Sequence, residues 1–126
     1  MKFYGLVSFF TAIHTLYSLT IGTCIDLKLN VSSINGVVNT QVELKDTGDV
    51  KISQFRNICS ENLHTQIFEE NGYKLTIYHK EKEWKLNIPE HMPGKRNLNL
   101  IETYCISNKE NCCWRYEDNY CILNYQ

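Results

Sequence analysis

The chain has 126 residues, room for one domain and little more. Its 13 Lys and Arg against 14 Asp and Glu give a formal net charge of −1, which excludes nucleic-acid binding driven by bulk charge. Six cysteines in so short a chain make disulfides the first chemistry to consider.

The N-terminus has the three parts of an export signal. Lys2 is the positive head, and 3–19 is an uncharged run rich in Phe, Leu, Val, Ile and Tyr. Thr20-Ile21-Gly22 then puts small residues at the −3 and −1 places of a cut after Gly22, with a cut after Ser18 as the second choice. The run is short for a membrane span, His14 and several Ser and Thr interrupt it, and no basic stop-transfer cluster follows. Residues 1–22 are therefore expected to be a cleavable secretory signal. Residues 23–126 are expected to be one secreted, extracellular domain without a membrane span.

From Cys24 onward the pattern is that of a sheet protein. Ile25, Leu27, Leu29 and Val31 alternate with Asp26, Lys28 and Asn30, a period of two with one face in and one out. Asn35-Gly36 is a hairpin signal, and Val38, Thr40, Val42 and Leu44 form the next alternating face. After a turn at Asp46-Thr47-Gly48-Asp49, Val50 and Ile52 open a third strand, with Phe55 at its end on the other face. Ser60 to Glu70 has an N-cap candidate in Ser60, but Leu63, Thr65 and Ile67 read better as a strand. Asn71-Gly72 turns the chain into Tyr73, Leu75 and Ile77. The charged loop Lys80-Glu81-Lys82-Glu83 leads to Trp84, Leu86 and Ile88, and Pro89 to Gly94 ends the ladder. Leu98, Leu100, Ile101 and Tyr104 then run into a cysteine-rich tail. Five or six strands with Gly or Asn turns predict an all-β fold, an antiparallel β-sandwich or small barrel of hairpins, stapled by disulfides.

Cys24, Cys59, Cys105, Cys112, Cys113 and Cys121 all follow the expected signal. An even count in a short exported chain predicts three bridges, each worth roughly 2–4 kcal/mol. A bridge between the neighbours Cys112 and Cys113 closes a strained ring, so each is expected to pair elsewhere. One scheme ties Cys24 or Cys59 to the tail, and the sequence does not choose among the pairings.

Catalytic chemistry has few carriers. His64, His79 and His91, with Glu81 or Glu90 and Arg96, are the groups an acid–base site of the small-ribonuclease kind would use. No spacing makes them converge, and loop histidines are the plainer reading. The cysteines lack the C-x₂-C pairs of zinc ribbons, and there is no G-x-S-x-G, H-E-x-x-H, P-loop or EF-hand sequence. The expectation is a protein that is not an enzyme, with no metal and no cofactor. Asn30-Val31-Ser32 is a glycosylation sequon on the polar phase of its strand, which makes Asn30 a candidate glycan acceptor.

The tail from Asn111 to Cys121 holds Trp114, Arg115, Tyr116 and Tyr120, the residue types that carry energy at interfaces. Trp114 and Tyr116 fit the core of a last strand, while Arg115 is out of phase with both and expected outside. Arg115, Tyr120 and the turn Lys80, Glu81, Lys82 and Glu83 are the candidate contact residues.

Tyr73-Lys74-Leu75-Thr76-Ile77-Tyr78 together with Cys113-Trp114-Arg115-Tyr116-Glu117 resembles part of a βγ-crystallin-type Greek key. The glycines that family uses at its folded hairpin are missing after Trp84, and its calcium motif is absent, so the resemblance implies only the β class. In format, with a signal, a short mature chain, paired cysteines, β alternation and no catalytic motif, the chain is similar to the small cysteine-rich secreted effectors of plant-pathogenic fungi, the class that includes avirulence proteins. That resemblance implies a non-enzymatic virulence effector that binds a host protein, modulates host defence and is detected by host immune receptors. The alternatives are a secreted toxin acting on a membrane or channel and a small secreted hydrolase such as a ribonuclease.

Overall fold

A computed structural model describes residues 22–88, 94–106 and 110–123. The expected signal, apart from Gly22, lies outside these residues, as do Glu90 and His91. The described residues form strands β1 (Gly22–Ile34), β2 (Val37–Asp46), β3 (Asp49–Cys59), β4 (Thr65–Glu70), β5 (Tyr73–Tyr78), β6 (Glu83–Asn87), β7 (Arg96–Asn97), β8 (Asn99–Ile106) and β9 (Asn111–Leu123). They build two antiparallel sheets, one ordered β3-β2-β1-β9-β8 and the other β4-β5-β6-β7. The fold is thus the all-β antiparallel arrangement expected, in its sandwich form. The chain runs a three-strand meander, crosses to the second sheet, and returns so that β9 lies beside β1 in the middle of the first.

Tight turns set the register of the hairpins. Asn35 and Gly36, with φ of 52° and 78°, and Asn71 and Gly72, with φ of 54° and 80°, both take the left-handed conformation that a two-residue hairpin turn demands. From Asn35-Gly36 the β1–β2 pairing runs without a break from Ile34↔Val37 to Ile25↔Asp46. Period two then does the rest: Ile25, Leu27 and Leu29 of β1 and Val42 and Leu44 of β2 are fully buried. Phe68, Leu75, Ile77 and Leu86 answer them from the other sheet.

Polar bonds stitch the sheets as well. Tyr73 on β5 donates its hydroxyl to Asp46 on β2. Trp84 Nε1 on β6 and Arg96 Nε on β7 both donate to Asp118 Oδ2 on β9, each at 2.8 Å. At the β3 edge, Gln54 Nε2 donates to the Glu69 carbonyl at 3.0 Å, and the Arg56 guanidinium lies 4.3 Å from the centre of the Phe68 ring. These groups close the flank with charge and amide where apolar side chains run out.

Two local expectations are corrected. The chain after Cys59 makes a single 3-10 turn, Ser60–Asn62, and β4 then runs in the opposite phase to the expected one. Gln66 and Phe68 point inward, and Ile67 is 41% exposed. The Gln66 amide can enter the core because it meets the buried His79 ring there, with Oε1 2.7 Å from Nε2. Val50 is turned outward beside an irregularity at Leu44/Lys45 in the β2–β3 ladder. Leu100, Ile101 and Tyr104 do lead towards the cysteine-rich tail, and every residue of β8 is exposed.

The cysteines form two bridges and not the three expected. Cys24 is joined to Cys121 and Cys105 to Cys112, while Cys59 and Cys113 are free thiols. The pleat explains the split. Both bridges join directly opposed residues of neighbouring strands, Cys24↔Cys121 and Cys105↔Cys112. Successive side chains point to opposite faces. Cys112 therefore meets Cys105 on the inner side, and Cys113 faces outward beside Ser32 and Tyr104. Cys59 is on β3, three strands from β9, or roughly 14 Å at ordinary strand spacing, too far for Cys113 to reach.

Candidate functional site

The first candidate surface is the outer face of the five-stranded sheet. The register lines up Phe55, Gln41, Asn30, Arg115 and Glu102 in one row across all five strands. The next row runs Asn57, Asn39, Ser32, Cys113 and Tyr104. Between them lies a shallow trough of about 380 Å³. Phe55 and Tyr104 stand at its two ends, 61% and 62% exposed. Amides and a hydroxyl line the trough together with Val31, Cys113 and Trp114, and two aromatic rings bracket it, the mixture that gives protein interfaces their adhesive centre.

Arg115 is in this trough, outward as its phase required. Its guanidinium is held by Glu117 Oε2 at 3.0 Å and Glu102 Oε1 at 3.4 Å. The side chain is 43% exposed, so these pairs contribute little stability and mainly fix the plane of the guanidinium. Asn30, the sequon residue, is exposed on the central strand and lines the same trough.

Strand β8 borders the trough and is the open edge of the sheet. Among the described residues the four-stranded sheet opposite is narrower and does not cover β8, whose residues are all exposed. Leu100, Ile101, Tyr104 and Ile106 are 48–62% exposed. The irregularity between Leu100 and Glu102 twists one end of this edge, a device that discourages pairing there. From Glu102 to Ile106 the ladder is regular, and the Cys105–Cys112 bridge ties its end to β9.

A second concavity opens between the sheets at the end where β3 crosses to β4. It measures about 430 Å³. Leu29, Val31, Trp114 and Tyr116 form its floor, and His64, Lys80 and Lys82 its mouth. His79 also lines it, but burial and the nearby Lys82 ammonium push its pKa down to about 4, so the ring is neutral. With the Gln66 oxygen as acceptor, Nε2 carries the proton. His64 and His79 thus line the same cleft, and among the described residues no carboxylate or arginine lines it with them.

The remaining candidates are placed elsewhere. Tyr120 turns inward: its ring lies 5.8 Å from Trp84 and the Arg96 guanidinium stacks 4.0 Å from its centre. It is a packing residue and not a presented contact, because its phase on β9 is that of Tyr116. Glu81 is exposed in the β5–β6 turn and Glu83 begins β6. Among the described residues no group of three or more His, Cys, Asp or Glu could hold a metal ion. No helix among them is long and apolar enough to cross a membrane.

The sequence reading missed Tyr104 and β8 as surface features, and it missed Asp118. Burial raises the Asp118 pKa, but hydrogen bonds from Arg96, Trp84 and the Asn119 amide outweigh it and hold the carboxyl below its ordinary value. An Asp on the inward phase of a Trp-Tyr-Tyr strand was the available signal. Compared with protein-family models, curated proteins and solved structures, the chain matches none.

Proposed function

We propose that this chain is an exported, non-enzymatic binding protein that engages a host protein and thereby modulates host defence. The contact surface is β8 together with the adjoining outer trough. The observation that carries this reading is the exposure of Leu100, Ile101, Tyr104 and Ile106 on an edge strand. An open edge bearing large apolar side chains invites another chain, and soluble proteins ordinarily hide or charge such edges. Phe55 and Arg115 extend the same surface across the sheet. The two bridges fit an oxidising compartment and pre-organise β8 and β9, which lowers the ordering cost of binding. The host as partner rests on the format shared with secreted effectors, as does detection by host immune receptors. Asn30 is the proposed glycan acceptor.

The test is affinity capture from candidate host extract with three baits: oxidised protein, reduced protein, and an oxidised Tyr104→Ala/Ile106→Lys variant. Capture of a discrete protein by the first bait alone supports the reading. Equal capture by oxidised and reduced bait removes the folded surface from the account. Undiminished capture by the variant moves the contact away from β8. For export, mass spectrometry of protein from its native source should find a chain starting at Thr23, or Leu19 for the earlier cut; an intact Met1 ends that part of the proposal.

A further inference from the structure

The cleft between the sheets is not used by the docking reading above and has its own chemistry. Its floor is hydrocarbon and indole, from Leu29, Val31 and Trp114, and Leu98 closes one wall. Its mouth is cationic: Lys80 and Lys82 line it, and among the described residues no carboxylate does. An apolar trough with charge of one sign at its lip selects a ligand with the complementary layout.

Lys82 is held in place and does not simply hang in solvent. Its ammonium donates to the His79 carbonyl at 2.7 Å, and its own carbonyl accepts from Leu98 N at 2.8 Å. Its backbone has a φ of 60°. The left-handed residues in the other hairpin turns are Asn, Thr or Gly; here a lysine takes that conformation, which costs free energy unless the side chain gains something from it. The Lys82 field already reaches inside the cleft, where it contributes to keeping His79 uncharged.

We propose that this cleft binds a single-chain anionic amphiphile, a long-chain carboxylate, with the hydrocarbon on the β1–β9 floor and the head group at Lys80 and Lys82. The volume of about 430 Å³ lies in the ordinary range of small-molecule sites, roughly 300–1,000 Å³.

Calorimetric titration of the oxidised protein with dodecanoate, dodecan-1-ol and dodecyltrimethylammonium, all below their micelle-forming concentrations, tests this. Dodecanoate should bind one to one and quench Trp114 fluorescence, an assignment checked with Trp114→Phe. A Lys80→Gln/Lys82→Gln variant should lose about tenfold in dodecanoate affinity and leave the alcohol unchanged. Lys82→Gln also removes the bond to the His79 carbonyl, so the unchanged alcohol affinity, with a cooperative thermal transition, separates lost binding from lost folding. Equal affinity for all three compounds, preference for the cation, absence of saturable binding, or an unchanged affinity in the double variant each overturns the proposal.

Discussion

Replacing Asp118 by Asn removes one charge and almost no volume, and the consequence follows from the hydrogen-bond directions. Asp118 Oδ2 accepts from Trp84 Nε1 and Arg96 Nε, and Oδ1 accepts from Arg96 Nη2 at 3.3 Å and Asn119 N at 2.8 Å. An amide presents one acceptor and one donor edge, so in either flip two donors face an NH₂ group. If the amide oxygen takes the Oδ1 place, the indole N–H of Trp84, a residue only 1% exposed, loses its acceptor. An unsatisfied buried donor costs roughly 1–3 kcal/mol. Arg96 loses its counter-charge too, but its side chain is 36% exposed and water compensates, so this part belongs to the surface range of about 0–1 kcal/mol. Together they predict a loss of about 3 kcal/mol. In a domain of this size that lowers the thermal midpoint by more than about 10 °C. Urea unfolding followed by tryptophan fluorescence should show a lower midpoint at unchanged slope. Arg96→Gln should cost less, because Trp84 keeps its acceptor. The native carboxyl titrates below its unfolded value, so its contribution is full above about pH 4 and is lost as pH falls through the folded pKa. The gap between wild type and Asp118→Asn should therefore narrow in acid. A difference below about 0.5 kcal/mol near neutrality would refute the reasoning, since that is the range of a surface substitution.

Other consequences are as direct. Alkylation of denatured but unreduced protein should add two labels, at Cys59 and Cys113, whereas three bridges would admit none; peptide mass mapping decides. Removing Cys24–Cys121, which spans 97 residues, should destabilise by roughly 2 kcal/mol more than removing Cys105–Cys112, which spans 7, because the longer loop confines the unfolded chain more; equal losses in paired Cys→Ser variants would contradict this. Thr40 is fully buried and its hydroxyl has no partner among the described residues, so Thr40→Val should stabilise by about 1 kcal/mol in urea unfolding, and a loss would mean an unseen partner. Native His79 takes up its proton near pH 4 against 6.5 for the free ring, so stability should decline as pH falls through that window, and His79→Gln should flatten the decline. Tyr73, pushed up to about 12 by burial and by Asp46, should cause a loss as pH rises from 10 towards 12, absent in Tyr73→Phe.

The β1 face was legible because its four apolar residues alternate without interruption and the Asn35-Gly36 turn that follows carries its own chemistry. The β4 phase was not, since hydrophobicity alone assigns Ile67 inward and Gln66 outward. What reverses them is the Gln66–His79 pair, a long-range hydrogen bond invisible to local patterning. Likewise the parity of six cysteines suggested three bridges, but the pleat places Cys113 on the face that Cys112 does not use. The exposure of β8 was missed, because a strand with no buried face has no clean alternation to read. Arg115 could be placed outside from its phase on β9. The trough could not be drawn, because it needs the register of five strands at once.

Asn30 and β8 bear on each other through that register. A glycan on Asn30 would rise from the central strand, between Gln41 and Arg115, and spread over the trough. Strand β8 lies two strands away, roughly 10 Å at ordinary spacing, and its outer edge points away from the sheet centre. A sugar chain therefore competes with a partner for Phe55 and Arg115 far more than for Leu100 and Ile106. Partner capture that is indifferent to glycosylation places the contact energy on the edge strand, and capture confined to unmodified protein places it in the trough. The two parts of the proposed surface are separable for this reason: pleat and register put the sugar acceptor in one and leave the other beyond its root.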